Sequence, residues 1–257
     1  MSWNEFIYFA GASLFFWFSG MLALYLSKRR VFSDILICLG LIIFTSFIAA
    51  LWVGLGHPPL RTMGETRLWY SLFLVLVGYL TYLRWEYKWL VAYSMGVSAV
   101  FIIINILKPE IHNTNLMPAL QSIWFVPHVT VYILAYAMMG AATIAAIIAL
   151  FRPSQKDENL LNMIDNLVYI GLAFLIAGML MGAVWAKEAW GDYWTWDPKE
   201  IWAFITAATY LVYIHSRKAG YNLKIILWII PIGLILLMIT WLGVSYLPSA
   251  QGSIHIY

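Results

Sequence analysis

Charged residues are scarce in this chain: they make up 11% of its 257 residues, whereas hydrophobic residues make up 63%. A soluble domain of this length would have about a quarter of its residues charged, so the scarcity predicts an integral membrane protein. The apolar runs are continuous over roughly 20 residues, which favours membrane-spanning helices over a β-barrel, whose strands alternate over about ten residues. The net charge of +3 gives no indication of nucleic-acid binding.

Cysteine is almost absent as well, since Cys38 is the only one and lies inside an apolar run. One cysteine cannot form a disulfide within the chain or supply a thiolate metal site, and we expect it to be a small buried hydrophobe. The residues before the first apolar run, MSWNE, lack the basic segment of a cleaved signal peptide. We therefore expect the first run to be a retained helix.

Eight apolar runs predict an all-α polytopic bundle of about eight transmembrane helices, forming a single membrane domain over 1–257. The predicted spans are Phe6 to Leu26, Ile35 to Leu55, Leu68 to Leu83, Leu90 to Leu107, Val126 to Phe151, Leu167 to Ala186, Ile201 to His215 and Ile225 to Leu247. Of the 15 lysines and arginines, ten lie in alternate connections between these runs and five in the others. By the positive-inside rule, both termini lie on the outer side, as does the connection between the sixth and seventh spans.

That outer connection is rich in tryptophan. The segment Trp185 to Trp202, WAKEAWGDYWTWDPKEIW, contains five of the 14 tryptophans in the chain. One or two such residues are typical of an aromatic belt at the membrane surface. The larger number leaves two interpretations open, an aromatic anchor on an outer loop or a flat apolar face that holds a planar cofactor.

Two histidines lie on the same outer side as this segment. His128 follows Pro127 at the start of the fifth span, where proline suits the first helical turn and the helix dipole disfavours imidazolium. Neutral imidazole is the form that ligates a metal. His255 is two residues from the C-terminus. Such a pair beside tryptophans matches a haem, which takes axial nitrogen ligands and apolar walls; a histidine bonded to the backbone and a disordered tail are the alternatives.

The other three histidines are weaker candidates for binding a metal or a ligand. His215, at the inner end of the seventh span, is either a polar residue ending a span or a ligand on the inner side. His57 lies in the outer loop GHPPLRTMGE, whose arginines could bind ligand carboxylates; a solvated loop is the alternative. His112 lies in a polar loop, where we expect solvation.

The acidic residues of the tryptophan-rich segment have simpler expected roles. Asp197 precedes Pro198 and is expected to cap the seventh helix, because a carboxylate near a helix N-terminus accepts its unpaired N–H groups. Glu200, with Glu188 and Asp192, is expected to form a solvated rim.

The sequence WGDYWTWDPKEIW resembles the WWD motif, WGxxWxWDxxE, of the haem-handling family of cytochrome c biogenesis proteins. The segments PHVTVYILAY, YIHSR and GSIHIY, around His128, His215 and His255, resemble histidine segments of the CcsA (ResC) branch of that family. GHPPLRTMGE resembles the outer GxxPxxxxxE loop of the same branch. The motif precedes only the last two of eight spans, as in that branch, whereas the CcmC branch has it mid-chain among six. The chain departs from the branch at SIHIY, where GLHSY is common, and at Gly64, where an aromatic is usual.

The resemblance implies a cytochrome c haem lyase that attaches haem to the CxxCH motif of apocytochrome c. It would act with a CcsB (ResB) partner on the outer, periplasmic face of the bacterial inner (cytoplasmic) membrane. The implied contacts with haem b, the bound substrate, are two outer axial ligands, one intramembrane ligand and a set of motif residues: His128, His255, His215, Trp190, Trp194, Trp196, Asp197 and Trp202. The partner would supply a second intramembrane histidine, and no residue is expected to be a catalytic acid or base.

Two other functions stay open. The first is a haem exporter or chaperone like the CcmC branch, which passes haem to another carrier without forming thioether bonds. The second is a b-type electron-transfer protein, which would need two histidines facing each other from different spans within the membrane.

Overall fold

The long elements of the chain are all α-helices. The computed structural model describes residues 2–27, 29–112, 120, 122–151 and 157–248. The helices are α1 (Phe6–Leu26), α2 (Arg30–Leu55), α3 (Met63–Trp85), α4 (Lys88–Leu107), α5 (Phe125–Phe151), α6 (Glu158–Trp190), α7 (Pro198–Lys218) and α8 (Leu223–Met238). A π-helical turn, Ile239–Gly243, and a 3-10 turn, Val244–Tyr246, continue α8. No strand occurs in the described ranges, so the predicted all-α fold is confirmed.

Seven segments of the described chain are long and apolar enough to cross a membrane: Trp3–Leu26, Arg30–Leu55, Met63–Trp85, Lys88–Leu107, Phe125–Phe151, Glu158–Trp190 and Leu223–Gly243. The protein is therefore an integral membrane protein. Helix α7 is not among these segments, because charged residues at both of its ends reduce its mean hydropathy. Its 21 residues nevertheless extend about 30 Å at 1.5 Å per residue, which matches the roughly 30 Å hydrocarbon core of a bilayer.

The described helices form two compact units, α1–α4 within Met1–Leu116 and α5–α8 within Met117–Tyr257. In each unit, successive helices contact each other, and the fourth helix contacts the first. Each unit is therefore a ring of four helices, and in each the connection between the second and third helices lies at the same end as the start of the first.

Small residues bring α1 and α2 together in the first unit. Ser33 Oγ donates a hydrogen bond of 2.6 Å to the carbonyl oxygen of Gly20, and a Cβ on Gly20 would lie 2.7 Å from Ile37 Cγ1. Small residues permit such close approach between membrane helices, where the packing itself drives association. Cys38 is exposed on the surface of α2, so the expectation that it is buried is wrong: its position on the helix is next to the buried face and not part of it.

The connection between α2 and α3 is fixed by hydrogen bonds to one carboxylate. Helix α2 ends at Gly56, which has a φ of 69°. Helix α3 is capped by Thr62, whose side chain accepts from the N–H of Glu65 at 3.1 Å. Glu65 Oε2 in turn accepts from the backbone N–H groups of Thr62, at 3.0 Å, and Arg61, at 2.6 Å. This reciprocal cap satisfies N–H groups that the first turn of a helix leaves unpaired.

At the opposite end of the first unit, a part-buried polar cluster joins α2 to α3. Tyr79 Oη donates to Asp34 Oδ1 at 2.9 Å, and Arg30 Nε lies 3.4 Å from Asp34 Oδ2. A carboxylate in a membrane helix is costly unless it is paired. The arginine and the tyrosine satisfy both oxygens of Asp34.

Candidate functional site

The candidate site lies at one end of the second unit, where α6 ends and both α5 and α7 begin; we call this the tryptophan end. His128 is on the first turn of α5. Its Nδ1 lies 2.8 Å from the carbonyl oxygen of Gly178 on α6. Because a carbonyl can only accept, Nδ1 carries a proton, and in the neutral imidazole the lone pair is therefore on Nε2.

This hydrogen bond is the kind that orients histidines in metal sites. A ligating histidine almost always donates its other ring N–H to a carboxylate, a backbone carbonyl or water, which fixes the tautomer and the ring orientation. The bond to a backbone group, which the sequence left as an alternative to ligation, is therefore compatible with ligation. Ligation of a metal through Nε2 of His128 stays a prediction.

Aromatic rings surround His128 on two sides. The ring of Tyr132, one turn further along α5, stands edge-on to the imidazole, with centroids 4.8 Å apart and planes at 89°. The Trp185 ring lies 5.5 Å from it, tilted by 31°. Trp185 is only 2% exposed and also contacts Phe125, at 5.1 Å, and Trp190, at 4.9 Å. Trp185 is thus a core residue that supports His128 from the α6 side.

The predicted haem-contacting tryptophans fall into separate places. Trp190 is the last residue of α6 and packs against Trp185. Trp194 and Trp196 lie in the connection to α7, with ring centroids 5.8 Å apart. Trp202 is half-buried within α7 itself. The structure therefore brings Trp190 into the group around Trp185 and pairs Trp194 with Trp196.

Trp196 has an unusual backbone conformation. Its φ is 59°, in the left-handed region that bulky residues rarely adopt. Its side chain is 61% exposed and contacts the ring of Phe204 on α7 at 6.2 Å. A strained residue persists only where its surroundings hold it in place, so the connection must be constrained on either side of this tryptophan.

The constraint is the cap of α7. Asp197 accepts from the N–H of Lys199 at 3.1 Å, which confirms the predicted capping role. Glu200 Oε2 accepts from the N–H groups of Asp197, at 3.1 Å, and Thr195, at 2.9 Å. Glu200 is only 9% exposed, so its expected place in a solvated rim is wrong. The reason is that its carboxylate turns back to pair N–H groups on both sides of Trp196.

The two units share this construction. In both, a glycine with positive φ ends the second helix, the capping residue follows six positions later, and a glutamate follows three positions after that. These residues are Gly56, Thr62 and Glu65 in the first unit, and Gly191, Asp197 and Glu200 in the second. Because the first unit has the cap without the tryptophans, the cap is a structural device that shapes a loop.

His215 is exposed on α7, near the end of the second unit opposite the tryptophan end. Beside it in sequence, Tyr213 Oη donates to Asp165 Oδ1 at 2.6 Å, and Arg217 Nε pairs with Asp165 Oδ2 at 3.2 Å. This cluster repeats the Tyr79, Asp34 and Arg30 cluster of the first unit. Asp165 lies two residues before the predicted sixth span, which begins at Leu167, so the sequence pattern did not single it out.

The remaining histidines differ in their surroundings. His57 is half-buried, with Nδ1 3.1 Å from the carbonyl oxygen of Pro58. His112 is not solvated as expected: its ring stacks on Trp3, with centroids 3.7 Å apart and planes 5° apart. Burial lowers the pKa of His112, an effect that the nearby Glu110 opposes. His255 lies outside the described residues, so its role stays a prediction.

Comparison of the sequence with known proteins places the chain in one class, the membrane proteins of cytochrome c maturation. The family described as "Cytochrome C assembly protein" matches residues 8–250. Relatives called "Cytochrome c biogenesis protein CcsA" include those of Cuscuta exaltata, 31% identical over 78% of this chain and 78% of the relative, and Atropa belladonna, 31% identical over 79% and 78%. That of Chlamydomonas reinhardtii is 34% identical over 76% of this chain and 60% of the relative.

The chain therefore belongs to the cytochrome c assembly protein family. Membership confirms the resemblance drawn from the WWD motif and the histidine segments, and it gives the protein a role in cytochrome c maturation.

Proposed function

We propose that this protein is the WWD subunit of a system II cytochrome c synthase, which holds haem while it is attached to the CxxCH motif of apocytochrome c. The observation that carries the proposal is the 2.8 Å contact between His128 Nδ1 and the carbonyl oxygen of Gly178. This hydrogen bond leaves the lone pair on Nε2 and fixes the ring against rotation, which are the requirements for an axial ligand.

The second axial ligand in this proposal is His255. The apolar wall consists of Trp190, Trp194, Trp196 and Trp202, at the end of the second unit where α5 begins. The strained backbone of Trp196 supports this role, because strained residues cluster at ligand clamps and because the strain turns a large aromatic ring outward.

The chemistry asks for positioning more than for proton transfer. Each thiol of CxxCH adds across one vinyl group of haem: a C–S bond forms, the vinyl π bond breaks, and the thiol hydrogen goes to the adjacent vinyl carbon, without net oxidation or reduction. Asp197 and Glu200, the acids of the motif, are engaged by backbone N–H groups. The chain therefore acts by holding the substrate in place beside the thiols.

The partner and the location belong to the same proposal. His215 would bind haem on the inner side, together with a histidine of a CcsB (ResB) subunit. With both termini outside, the tryptophan end faces the outer, periplasmic side of a bacterial inner membrane, where apocytochrome c is met. The charged connections of the chain support that orientation.

Reconstitution tests the proposal. This protein, its CcsB partner and a reporter apocytochrome c are expressed in cells without other maturation factors, and covalent haem is measured by in-gel haem staining. We expect holocytochrome c from the wild type, background yield from His128→Ala, and normal yield from the matched variant His57→Ala, whose ring bonds to the adjacent Pro58. Normal yield from His128→Ala would refute the ligand assignment.

The same reconstitution addresses the second candidate, a haem exporter or chaperone like the CcmC branch. The engagement of both motif acids in the cap suits this function as well as the synthase, since holding haem needs no acid or base. A wild-type complex that carries haem but gives no holocytochrome c until another carrier is added would establish that function in place of the synthase.

A further inference from the structure

Two glycines on α6 form the surface against which His128 packs. Gly178 and Gly182 are one helical turn apart, as are His128 and Tyr132 on α5, and each pair faces the other. A Cβ on Gly182 would lie 2.6 Å from Cε1 and 2.7 Å from Nδ1 of His128, whereas a Cβ on Gly178 would lie 3.1 Å from the Tyr132 ring. Close packing of this kind between membrane helices requires small residues.

The missing side chain at Gly182 also explains the hydrogen bond of His128. In an α-helix, the carbonyl of residue 178 points toward residue 182, whose N–H it accepts. A carbonyl oxygen has a second lone pair, which a side chain at position 182 would obstruct. With glycine there, Nδ1 of His128 reaches that oxygen at 2.8 Å.

The geometry points to Gly182 as a positioning residue that sets both the location and the tautomer of the axial ligand His128. This inference rests on the proposed function, because it takes His128 to be the ligand. A side chain at 182 displaces the imidazole and breaks the hydrogen bond of its Nδ1. The position of Nε2 is then no longer fixed, and the proton is no longer held on Nδ1. Loss of such a supporting hydrogen bond weakens metal binding by about 10- to 100-fold.

Three alanine variants separate this role from general packing. Gly182→Ala collides with His128, Gly171→Ala on the same helix meets the flexible end of the Met139 side chain at 2.9 Å, and Gly96→Ala on α4 meets no described atom within 4 Å. Each is purified with the CcsB partner, and haem content and the absorption spectrum are measured with and without imidazole. In haem-free protein labelled with ¹⁵N-histidine, NMR reports the tautomer of His128.

We expect Gly182→Ala to lose the spectrum of the low-spin haem with two histidine ligands and to regain it with imidazole, with a changed tautomer of His128 in the haem-free protein. Gly171→Ala and Gly96→Ala should keep both the spectrum and the tautomer. A wild-type spectrum and tautomer in Gly182→Ala would overturn the inference alone. A wild-type spectrum in His128→Gly would instead overturn the proposed function.

A double variant covers the case in which Gly182→Ala fails to accumulate. His128→Gly removes the ring that the new Cβ would strike. Accumulation of the double variant at the level of His128→Gly alone would show that the damage acts through His128, as inferred. Failure of the double variant as well would show that Gly182 serves helix packing at large and would refute the positioning role.

Discussion

Replacing Glu200 by alanine should loosen the connection that contains Trp194 and Trp196. Glu200 Oε2 accepts two backbone N–H groups, at 2.9 and 3.1 Å, and a hydrogen bond to a charged group contributes about 1.5–3 kcal/mol. Against this, the left-handed conformation of Trp196 costs about 1–3 kcal/mol. At the lower end of both ranges, removal of the carboxylate leaves a net cost of about 2 kcal/mol after the strain relaxes, which raises the population of the open loop roughly 30-fold.

The assay is the rate at which purified complex loses haem to an excess of a haem-scavenging apoprotein. We expect this rate to rise about 30-fold in Glu200→Ala, in line with the increased population of the open loop. Glu200→Gln should change it little, because both bonds go to one oxygen that the amide carbonyl can replace.

Glu65→Ala is the matched control for this experiment. It breaks the equivalent cap of α3, where Glu65 also accepts two backbone N–H groups, in a loop that contains no tryptophan. We expect it to lower the melting temperature without changing the rate of haem loss. Equal rates for Glu200→Ala and Glu65→Ala would refute the argument that the cap of α7 acts by shaping the tryptophan loop.

Two further predictions concern regions away from the tryptophan end. Asp165→Asn removes the charged partner of Arg217 and should lower the stability of the second unit by about 1 kcal/mol, measured by thermal unfolding in detergent. The haem spectrum should stay unchanged. An altered spectrum would contradict the separation of the Asp165 cluster from the tryptophan end. Burial lowers the pKa of His112 below its ordinary value of 6.5, so the unfolded chain binds a proton at this histidine at a higher pH than the folded chain does. The free energy of unfolding is therefore unaffected by this group above pH 6.5 and falls as the pH drops toward the folded-state pKa. His112→Phe keeps the stack on Trp3 and should reduce that fall in melting temperature below pH 6.5; an identical pH profile would contradict the assignment.

The spans and the cap of α7 were predictable because their causes are local in sequence. Continuous apolar runs define the helices, and Asp197 before Pro198 is a local start signal. Two spans differ most from their predictions: α6 begins at Glu158, nine residues before Leu167, and the eighth span changes in its last part from α8 to a π-helical turn around Trp241.

The partners of the site residues were not predictable, because they come from distant parts of the chain. Gly178 lies 50 positions from the histidine that it bonds, and nothing local marks its carbonyl as an acceptor. Similarly, the stack of Trp3 on His112 depends on how α1 and α4 pack. The polar sequence around His112 therefore led to the wrong expectation that its ring is solvated. Composition alone also could not separate buried Trp185 from exposed Trp196.

The central claim, that His128 is an axial ligand of haem, is tested most directly by an absorption spectrum. The protein is purified in detergent with its CcsB-type partner, as wild type and as His128→Gly, each with and without imidazole. The account predicts a low-spin haem spectrum with two histidine ligands in the wild type, its loss in His128→Gly, and its return when imidazole fills the vacated place. An unchanged spectrum in His128→Gly, or a wild-type complex that purifies without haem, would contradict it.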